Sequence, residues 1–403
     1  MIEPCAGMKI VHGMDIQCPL AGHGVGVQVI QLQRGDHLFD AHLAALMGTA
    51  AKSGSKLRRI IGWPFAMAYG AVLRLRHALY DHGAWRSERP AVPTIAIGNL
   101  SFGGTGKTPL MELVLRTLEA TAPLATLSRG YGRKGTDIHE VLATDTAEHS
   151  GDEPLQVKRK FPEVRVFVGA DRVKAISRIQ AQVPEVKAVV LDDALQHRAL
   201  AAGLNILLTT WQRPYSEDML VPAGTLRDLP GRAHAAQIVV VTKCPALPDA
   251  SERQRWRQRL GLHEGQELFF SGIAYDAPTG VDGSGQLPTD SCLLVTGIAD
   301  PAPLVAHVRG LFKQVEHVAF PDHHAFSPAD LARLAERYAK FAPGPKMLVT
   351  TEKDATRLGS VLAGSPLDGT PLATIAMRAV ILNEPERFAD LIRRHVGPHP
   401  AHR

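Results

Sequence analysis

Short apolar runs alternate with amphipathic segments along most of the chain. Between residues 91 and 245 the apolar runs are nearly unbroken and rich in β-branched side chains, as expected for strands covered by helices on both faces of a parallel sheet. We therefore predict a doubly wound, mostly parallel α/β domain for this range. Its predicted strands are residues 93–97, 123–128, 164–168, 186–191, 205–209 and 237–242.

A second, smaller α/β domain is predicted for residues 266–397, after a connector at residues 246–265 that is rich in Pro and then in Arg, Glu and Gln. Residues 276–290 are rich in Gly, Pro and Asp, which predicts a loop. The last residues, 398–403, are expected to form a loose tail. The predicted strands are 267–274, 292–296, 315–319, 346–350 and 372–380, and the helices are 303–312, 328–341 and 384–395.

The first 90 residues differ from the rest. Residues 1–55 show neither periodicity nor a signal-peptide pattern, and we interpret them as a disordered extension or an over-called start. The spacing of apolar residues in 56–90 predicts a basic amphipathic helix, in which Pro64 should introduce a kink or a break. Its apolar stripe consists of Leu57, Ile61, Phe65, Ala68, Val72, Leu75 and Leu79.

Charged and aromatic side chains give this helix two possible roles. Arg58, Arg59, Arg74 and Arg76 fall outside the apolar stripe, and Trp63 and Tyr69 can act as aromatic anchors. One interpretation is that the helix packs on the core of the protein itself. The other is that the helix lies on an anionic membrane surface, with its basic residues facing the lipid headgroups.

A glycine-rich segment follows the first predicted strand and reads Gly-Asn-Leu-Ser-Phe-Gly-Gly-Thr-Gly-Lys-Thr from Gly98 to Thr108. Strand, glycine-rich turn, Lys-Thr and helix is the layout of a P-loop, whose backbone N–H groups hold phosphates. Lys107 would reach the terminal phosphates and the Thr108 hydroxyl would ligate Mg²⁺, although Ser101 stands where the strict pattern has Gly. The expected nucleotide-binding residues are Ser101, Phe102, Gly103, Gly104, Thr105, Gly106, Lys107 and Thr108.

Further polar groups follow predicted strands, at the sheet edge where ligands bind in such folds. Asp192 and Asp193 end an apolar strand, where an acid faces the Mg²⁺ of a P-loop enzyme. Arg129, with Arg133 and Lys134, could clamp an anionic substrate, and Tyr131 could donate a hydrogen bond or stack. The alternative for these segments is a capped strand end or a basic surface turn.

Two turns carry carboxylates that could accept the proton of an acceptor hydroxyl. In Ser150-Gly-Asp-Glu-Pro154 either Asp152 or Glu153 could serve, or the turn could simply cap a helix. Asp322 and His323 open a predicted helix and could form a base dyad, bind a metal or cap that helix. Arg227 and Asp228 lie together in another loop that follows a strand.

Composition excludes several classes of protein. The four cysteines show no Cys-x-x-Cys spacing, which argues against a zinc or disulfide framework. The net charge of +5 is mild, and we predict no nucleic-acid partner. GTPases of this class bind guanine with an Asn-Lys-x-Asp motif after a late strand, but here that strand ends in Thr242-Lys-Cys-Pro245. A partitioning ATPase would have a second lysine where Phe102 stands.

Jointly, these segments resemble the tetraacyldisaccharide 4′-kinases of lipid A biosynthesis. They occur in family order over about residues 57–395, and together they are far more specific than the P-loop alone. The segments that carry the resemblance are Gly98–Pro109, Ser128–Gly132, Gly151–Pro154, Val168–Arg172, Leu191–Arg198, Pro222–Asp228, Asp322–His323 and Thr351–Ala355.

The resemblance implies ATP- and Mg²⁺-dependent phosphorylation of the 4′-hydroxyl of a tetraacylated glucosamine disaccharide 1-phosphate. It places the enzyme at the cytoplasmic face of the bacterial inner membrane, on an anionic lipid surface, and we expect a monomer. Asp152 matches the family's catalytic base, paired with His323, while Lys107 and Asp193 complete the predicted catalytic set. Thr108 and Asp192 are the predicted metal ligands, although which of the two adjacent acids meets the metal is open. The predicted substrate residues are Arg129, Tyr131, His197, Arg227 and Asp228.

The sequence departs from the family pattern at two positions, where Ala194 replaces the common Gly and Asp228 is one methylene shorter than the usual Glu. Two alternatives to the lipid kinase stay open at this point. One is a P-loop kinase for a soluble sugar or cofactor, and the other is a membrane-tethered ATPase switch. A kinase for a soluble acceptor leaves the basic helix and its aromatic anchors unexplained.

Overall fold

The computed structural model describes residues 55–281, 290–322, 324–341 and 344–397. The predicted extension, apart from Ser55, the predicted tail and His323 lie outside these residues. The described strands are β1 (Thr94–Asn99), β2 (Leu124–Ser128), β3 (His139–Glu140), β4 (Arg165–Val168), β5 (Ala188–Asp192), β6 (Leu204–Thr210), β7 (Ile238–Thr242), β8 (Glu267–Tyr275), β9 (Thr279–Gly280), β10 (Ser291–Thr296), β11 (Gln314–Ala319), β12 (Lys346–Thr351), β13 (Leu372–Ile375) and β14 (Met377–Ile381).

Helices connect most of these strands, and short 3₁₀ turns occur at Glu119–Thr121, Tyr215–Glu217 and Pro230–Ala235. The described helices are α1 (Ser55–Asp81), α2 (Lys107–Thr117), α3 (Ala147–Ser150), α4 (Asp152–Lys160), α5 (Arg172–Gln182), α6 (Ala250–Arg259), α7 (Ala302–Leu311), α8 (Pro328–Lys340), α9 (Glu352–Leu362) and α10 (Pro385–Val396). Helix α6 occupies part of the predicted connector.

A nine-stranded sheet forms the centre of the fold, in the order β14-β8-β7-β6-β1-β5-β2-β4-β3. Its strands are parallel except for β3 and β14, which pair antiparallel at the two edges. Every residue of β1, β2, β5 and β7 is buried, because helices cover both faces. The predicted doubly wound, mostly parallel α/β fold is confirmed.

A second sheet has the order β11-β10-β12-β13-β9, and within it only β9 is antiparallel to its neighbour. The prediction of one strand at residues 372–380 is wrong, because β13 joins this sheet whereas β14 pairs with β8 in the large one. Nothing in the sequence of residues 372–380 marks the change of sheet at Ala376. Two strands of the range 266–397 thus belong to the large sheet, and the domain boundaries stay a prediction.

Helix α1 continues through Pro64, so the predicted break is absent. The predicted apolar stripe is turned outward: Phe65 is 65% exposed, Leu75 is 64% exposed and Ile61 is 61% exposed. The helix does pack on the protein, but this stripe is not the face through which it packs. A different face, made of Gly62, Ala66, Gly70, Leu73 and His77, is buried instead. Among the described residues, no helix has both the length and the apolar character that crossing a bilayer would require.

Candidate active site

The glycine-rich loop joins β1 to α2 at the carboxyl edge of the large sheet. Gly103 and Gly106 have φ angles of 110° and 87°, which residues with a Cβ rarely adopt. Gly106 is the N-cap of α2, and the helix begins at Lys107. The free N–H groups of the first helical turn therefore face the loop, as an anion-binding site requires.

Asn99, at the end of β1, organises this loop although the sequence analysis did not select it. Its side chain is fully buried, and Nδ2 donates to Ser101 O and to Thr105 Oγ1, each at 2.8 Å. Its Oδ1 accepts from Arg227 Nη2 at 2.7 Å and from Lys107 Nζ at 3.4 Å. The buried side-chain amide of Asn99 thus connects the glycine-rich loop with two cations, Lys107 and Arg227. A polar residue closing a buried strand was the only signal of this role in the sequence.

Asp193 lies directly after β5 and contacts both Arg227 and Lys107. Arg227 Nη1 donates to its Oδ2 at 2.7 Å, and Lys107 Nζ lies 3.6 Å from Oδ1. Burial alone would raise the pKa of Asp193, but Arg227 and Lys107 outweigh burial and hold that pKa below its usual value. Asp193 also has a φ of 51°, an unusual conformation for a residue with a side chain and one that clusters at functional sites.

Asp192, the last residue of β5, has the opposite electrostatic environment. Its side chain is buried, and Oδ1 has no hydrogen-bond partner among the described residues. Burial, followed by repulsion from Glu153, raises the pKa of Asp192 to about 7. A buried carboxylate oxygen without a donor, close to a second carboxylate, fits a divalent cation, because a cation would neutralise both acids. The residues present are therefore suited to Mg²⁺.

Arg172, the first residue of α5, is a further buried cation that the sequence analysis quoted within a motif but did not assign. Its Nη1 donates to Gly169 O at 2.5 Å, and Nη2 donates to the backbone carbonyl of Asp192 at 3.4 Å. Burial lowers the pKa of Arg172 to about 10, and repulsion from Arg129 contributes. Its charge helps to keep Asp193 ionised.

Two glycine turns bring the segment after β2 against the turn before α4. Gly130 and Gly151 both have positive φ angles, of 70° and 89°. A Cβ on Gly151 would lie 3.4 Å from Gly130 Cα and 3.4 Å from Tyr131 O, which is ordinary contact, so it is the positive φ that favours glycine here. The turn that carries Arg129 and the exposed Tyr131 thus packs on the turn that presents Asp152.

Groups from the second sheet also reach this region. Lys353 Nζ, on α9, lies 3.3 Å from Asp322 Oδ1 and 3.8 Å from Glu153 Oε1. Lys160 Nζ, at the end of α4, contacts Glu352 at 2.6 Å and Glu112 at 2.9 Å. Lys353 thus lies between Asp322 and Glu153, next to the turn that presents Asp152. The contacts of His323 itself lie outside the described residues.

Asp228 occupies a different environment from the other predicted residues. It is 1% exposed, and its Oδ1 lies 2.7 Å from His77 Nε2 on α1. Its described hydrogen bonds are with His77 and with the backbone N–H of Leu229. Asp228 therefore faces the N-terminal helix, whereas the neighbouring Arg227 faces the P-loop. His197 lies half-buried in the turn that follows Asp193.

Comparisons with known proteins agree with this geometry. The chain is 41% identical over 313 residues to the tetraacyldisaccharide 4′-kinase of Bacteroides thetaiotaomicron, covering 73% of this chain and 82% of the relative. It is 38% identical over 344 residues to the corresponding kinase of Flavobacterium johnsoniae, covering 84% and 97%. A crystal structure of LpxK from Aquifex aeolicus in complex with ATP has the same fold, with a TM-score of 0.63 and 24% identity over 84% of this chain and 99% of that one.

A family model described as tetraacyldisaccharide-1-P 4′-kinase matches residues 58–397, which include the P-loop, Asp192 and Asp193, and the turn before α4. The resemblance that the sequence motifs carried is thereby confirmed. The chain belongs to the tetraacyldisaccharide-1-P 4′-kinase family.

Proposed function

We propose that this protein transfers the γ-phosphate of ATP to the 4′-hydroxyl of a tetraacylated glucosamine disaccharide 1-phosphate. The observation that supports this most directly is the contact network at the ends of β1 and β5. There, Lys107, Arg227 and the N-terminus of α2 supply positive charge, while Asp192 leaves a buried oxygen without a donor. Positioned positive charge is what phosphoryl transfer requires, because the transition state carries its charge on phosphate oxygens.

The residues divide into four roles in this proposal. Lys107 and the loop N–H groups hold the nucleotide phosphates, and Arg227 keeps Asp193 and Asn99 in place beside them. Asp192 and the Thr108 hydroxyl would hold Mg²⁺, which neutralises phosphate charge when it is bound. Asp152, with His323, accepts the proton of the attacking hydroxyl. Arg129 and Tyr131, on the adjoining turn, face the acceptor.

A phosphate-transfer assay tests the assignment of the acceptor. We expect labelled phosphate to pass from ATP to the detergent-dispersed lipid disaccharide, with little release of ADP when the acceptor is absent. A kinase for a soluble sugar would leave the lipid unlabelled, and an ATPase switch would release ADP without any acceptor. Either of these results would refute the proposed function.

The exposed face of α1 is the surface that we propose for membrane contact. Large apolar side chains cluster there, with Ile60 73% exposed and Trp63 53% exposed, and Arg59 and Arg74 are exposed on the same helix. A tetraacylated substrate stays in the bilayer, because each CH₂ transferred to water costs about 0.8 kcal/mol. The enzyme must therefore come to the lipid surface, and a basic helix favours an anionic one such as the cytoplasmic face of the inner membrane.

Replacing Ile60, Trp63 and Phe65 together by Gln should release the protein from anionic vesicles. Each exposed side chain is worth roughly 1 kcal/mol in the interface, so the loss is on the order of 3 kcal/mol, or roughly a hundredfold in partitioning. The apparent KM for the lipid acceptor should rise while the KM for ATP stays constant. Vesicle co-sedimentation and steady-state kinetics measure the two effects.

The matched control replaces two exposed leucines elsewhere, Leu142 and Leu311, by Gln. These residues have similar exposure but lie outside α1, so vesicle binding should be unchanged. If the α1 variant still sediments with anionic vesicles and keeps its KM for the lipid, the membrane contact lies elsewhere on the protein.

A further inference from the structure

The buried face of α1 makes hydrogen bonds with the segment that carries Arg227. Tyr69 donates its hydroxyl hydrogen to the backbone carbonyl of Arg227 at 2.7 Å. Two turns further along the helix, His77 Nε2 lies 2.7 Å from Asp228 Oδ1, and these two side chains are 5% and 1% exposed. Tyr69, one of the two predicted aromatic anchors, is half-buried, and its hydroxyl is bonded to the protein itself.

Small residues let α1 approach this segment closely. A Cβ on Gly62 would lie 2.8 Å from the backbone nitrogen of Ala223, and one on Gly70 would lie 3.0 Å from Leu220 Cδ1. Leu220 and Ala223 begin the loop that ends at Arg227 and Asp228. The helix therefore contacts the loop both at its start, Leu220 and Ala223, and at its end, Arg227 and Asp228. These contacts involve the backbone of the loop as well as its side chains.

The other side of the same loop contacts the P-loop. Phe102 N donates to Thr225 O, and Arg227 N donates to Leu100 O, each at 2.8 Å. Residues 220–228 thus lie between α1 and the phosphate-binding loop, with hydrogen bonds to both. Arg76 adds a parallel connection, because it donates to Gln196 O at 2.7 Å and Gln196 Nε2 donates to Asn99 O at 2.9 Å.

We propose that α1 is a positioning element of the active site, and that Tyr69 and His77 set the place of the Arg227 guanidinium on Asp193 and Asn99. This inference rests on the proposed function, since it assigns Arg227 to the transfer site. Fixing an arginine costs backbone and side-chain entropy, so a backbone that is already held leaves less freedom to lose when the guanidinium binds Asp193 and Asn99. Here the backbone carbonyl of Arg227 is held by α1, and its N–H is held by the P-loop.

The two faces of α1 therefore carry separable roles. The exposed apolar face serves the lipid surface, whereas the buried face sets catalytic geometry. A change on the buried face should lower kcat without changing vesicle binding, because a small misplacement of a catalytic group lowers the rate more than it weakens ground-state binding. A change on the exposed face should weaken vesicle binding without lowering kcat.

Tyr69→Phe tests the proposal, because it removes one hydroxyl and keeps the aromatic ring. We expect kcat for transfer to the lipid acceptor to fall about 5- to 10-fold, as expected for the loss of one hydrogen bond of roughly 1–1.5 kcal/mol. The KM for ATP and the sedimentation with vesicles should stay within about twofold of wild type. Tyr338→Phe is the matched control, since that hydroxyl also donates to a backbone carbonyl, Lys346 O at 2.6 Å, but from α8.

A double-mutant cycle with Arg227→Gln decides whether Tyr69 acts through Arg227. If it does, Tyr69→Phe should change kcat by less than about twofold once Arg227 has been replaced, so that the two effects do not multiply. His77→Gln, which keeps a donor for Asp228, should retain more activity than His77→Leu. Thermal unfolding of each variant shows whether a loss of rate is a loss of fold.

Two results would overturn the inference: a Tyr69→Phe enzyme with wild-type kcat, or Tyr69 and Arg227 effects that multiply fully in the cycle. Failure of the proposed function looks different. In that case Arg227→Gln itself would leave transfer to the lipid disaccharide nearly unchanged, or no transfer would be observed with the wild-type protein.

Discussion

Lys107→Ala is expected to abolish phosphate transfer and to leave the fold intact. Lys107 Nζ lies 3.6 Å from Asp193 Oδ1 and 3.4 Å from Asn99 Oδ1, at the N-terminus of α2, where the terminal phosphates would bind. Removing one preorganised electrostatic contact of this kind typically costs on the order of 3–4 kcal/mol of transition-state stabilisation. Steady-state kinetics with ATP and the lipid disaccharide should therefore show a loss of roughly 10²- to 10³-fold in kcat.

Lys174→Ala is the matched control for this change. Lys174 also lies near a helix N-terminus, that of α5, and its Nζ pairs with Asp171 at 3.3 Å. Its side chain is 79% exposed, however, and the residue is distant in sequence from the P-loop. Its replacement should leave the rate unchanged, because exposed ion pairs contribute little. An Lys107→Ala enzyme within about twofold of the wild-type rate would refute the P-loop assignment.

The large sheet could be predicted from the sequence because its signals are local. Each buried parallel strand is a short apolar run, and the P-loop glycines stand where the backbone must adopt positive φ angles, as at Gly103 and Gly106. Placing Lys107, Asp192 and Asp193 at one edge of the sheet follows from the rule that carboxyl ends of parallel strands meet there. The contacts of Lys107 with Asp193 agree with that prediction.

The features that the sequence analysis missed all depend on contacts between distant segments. Asn99 joins Arg227 to the P-loop across 128 residues, and nothing beside Asn99 in the sequence indicates such a partner. The apolar stripe of α1 was identified, but the buried face contains Gly62 and Gly70, whose role appears only where another backbone approaches them. Hydrophobic periodicity reflects where the large apolar side chains stand along a helix. A face that packs closely through glycine therefore contributes little to the pattern.

The strongest prediction about the acceptor side concerns Asp152. Asp152 is the first residue of α4, after the N-cap Gly151, and its Oδ1 accepts a hydrogen bond from Glu153 N at 3.2 Å. A local structural role and a role as catalytic base must therefore be separated. Asp152→Asn keeps an oxygen for that hydrogen bond and removes the base. We expect this variant to fold normally and to lose about 10²- to 10⁴-fold in kcat, with little change in either KM.

Glu153→Gln is the informative comparison, because the neighbouring acid is the other candidate that the sequence left open. Glu153 raises the pKa of Asp192 by repulsion, so a cation bound at Asp192 would also be attracted by the carboxylate of Glu153. Its replacement should change the Mg²⁺ concentration needed for half-maximal activity, whereas Asp152→Asn should leave that concentration unchanged and lower the rate at saturating Mg²⁺. If the two variants exchange these effects, Glu153 is the base and Asp152 the metal contact. If Asp152→Asn keeps the wild-type kcat, neither its carboxylate nor the dyad with His323 takes part in proton transfer.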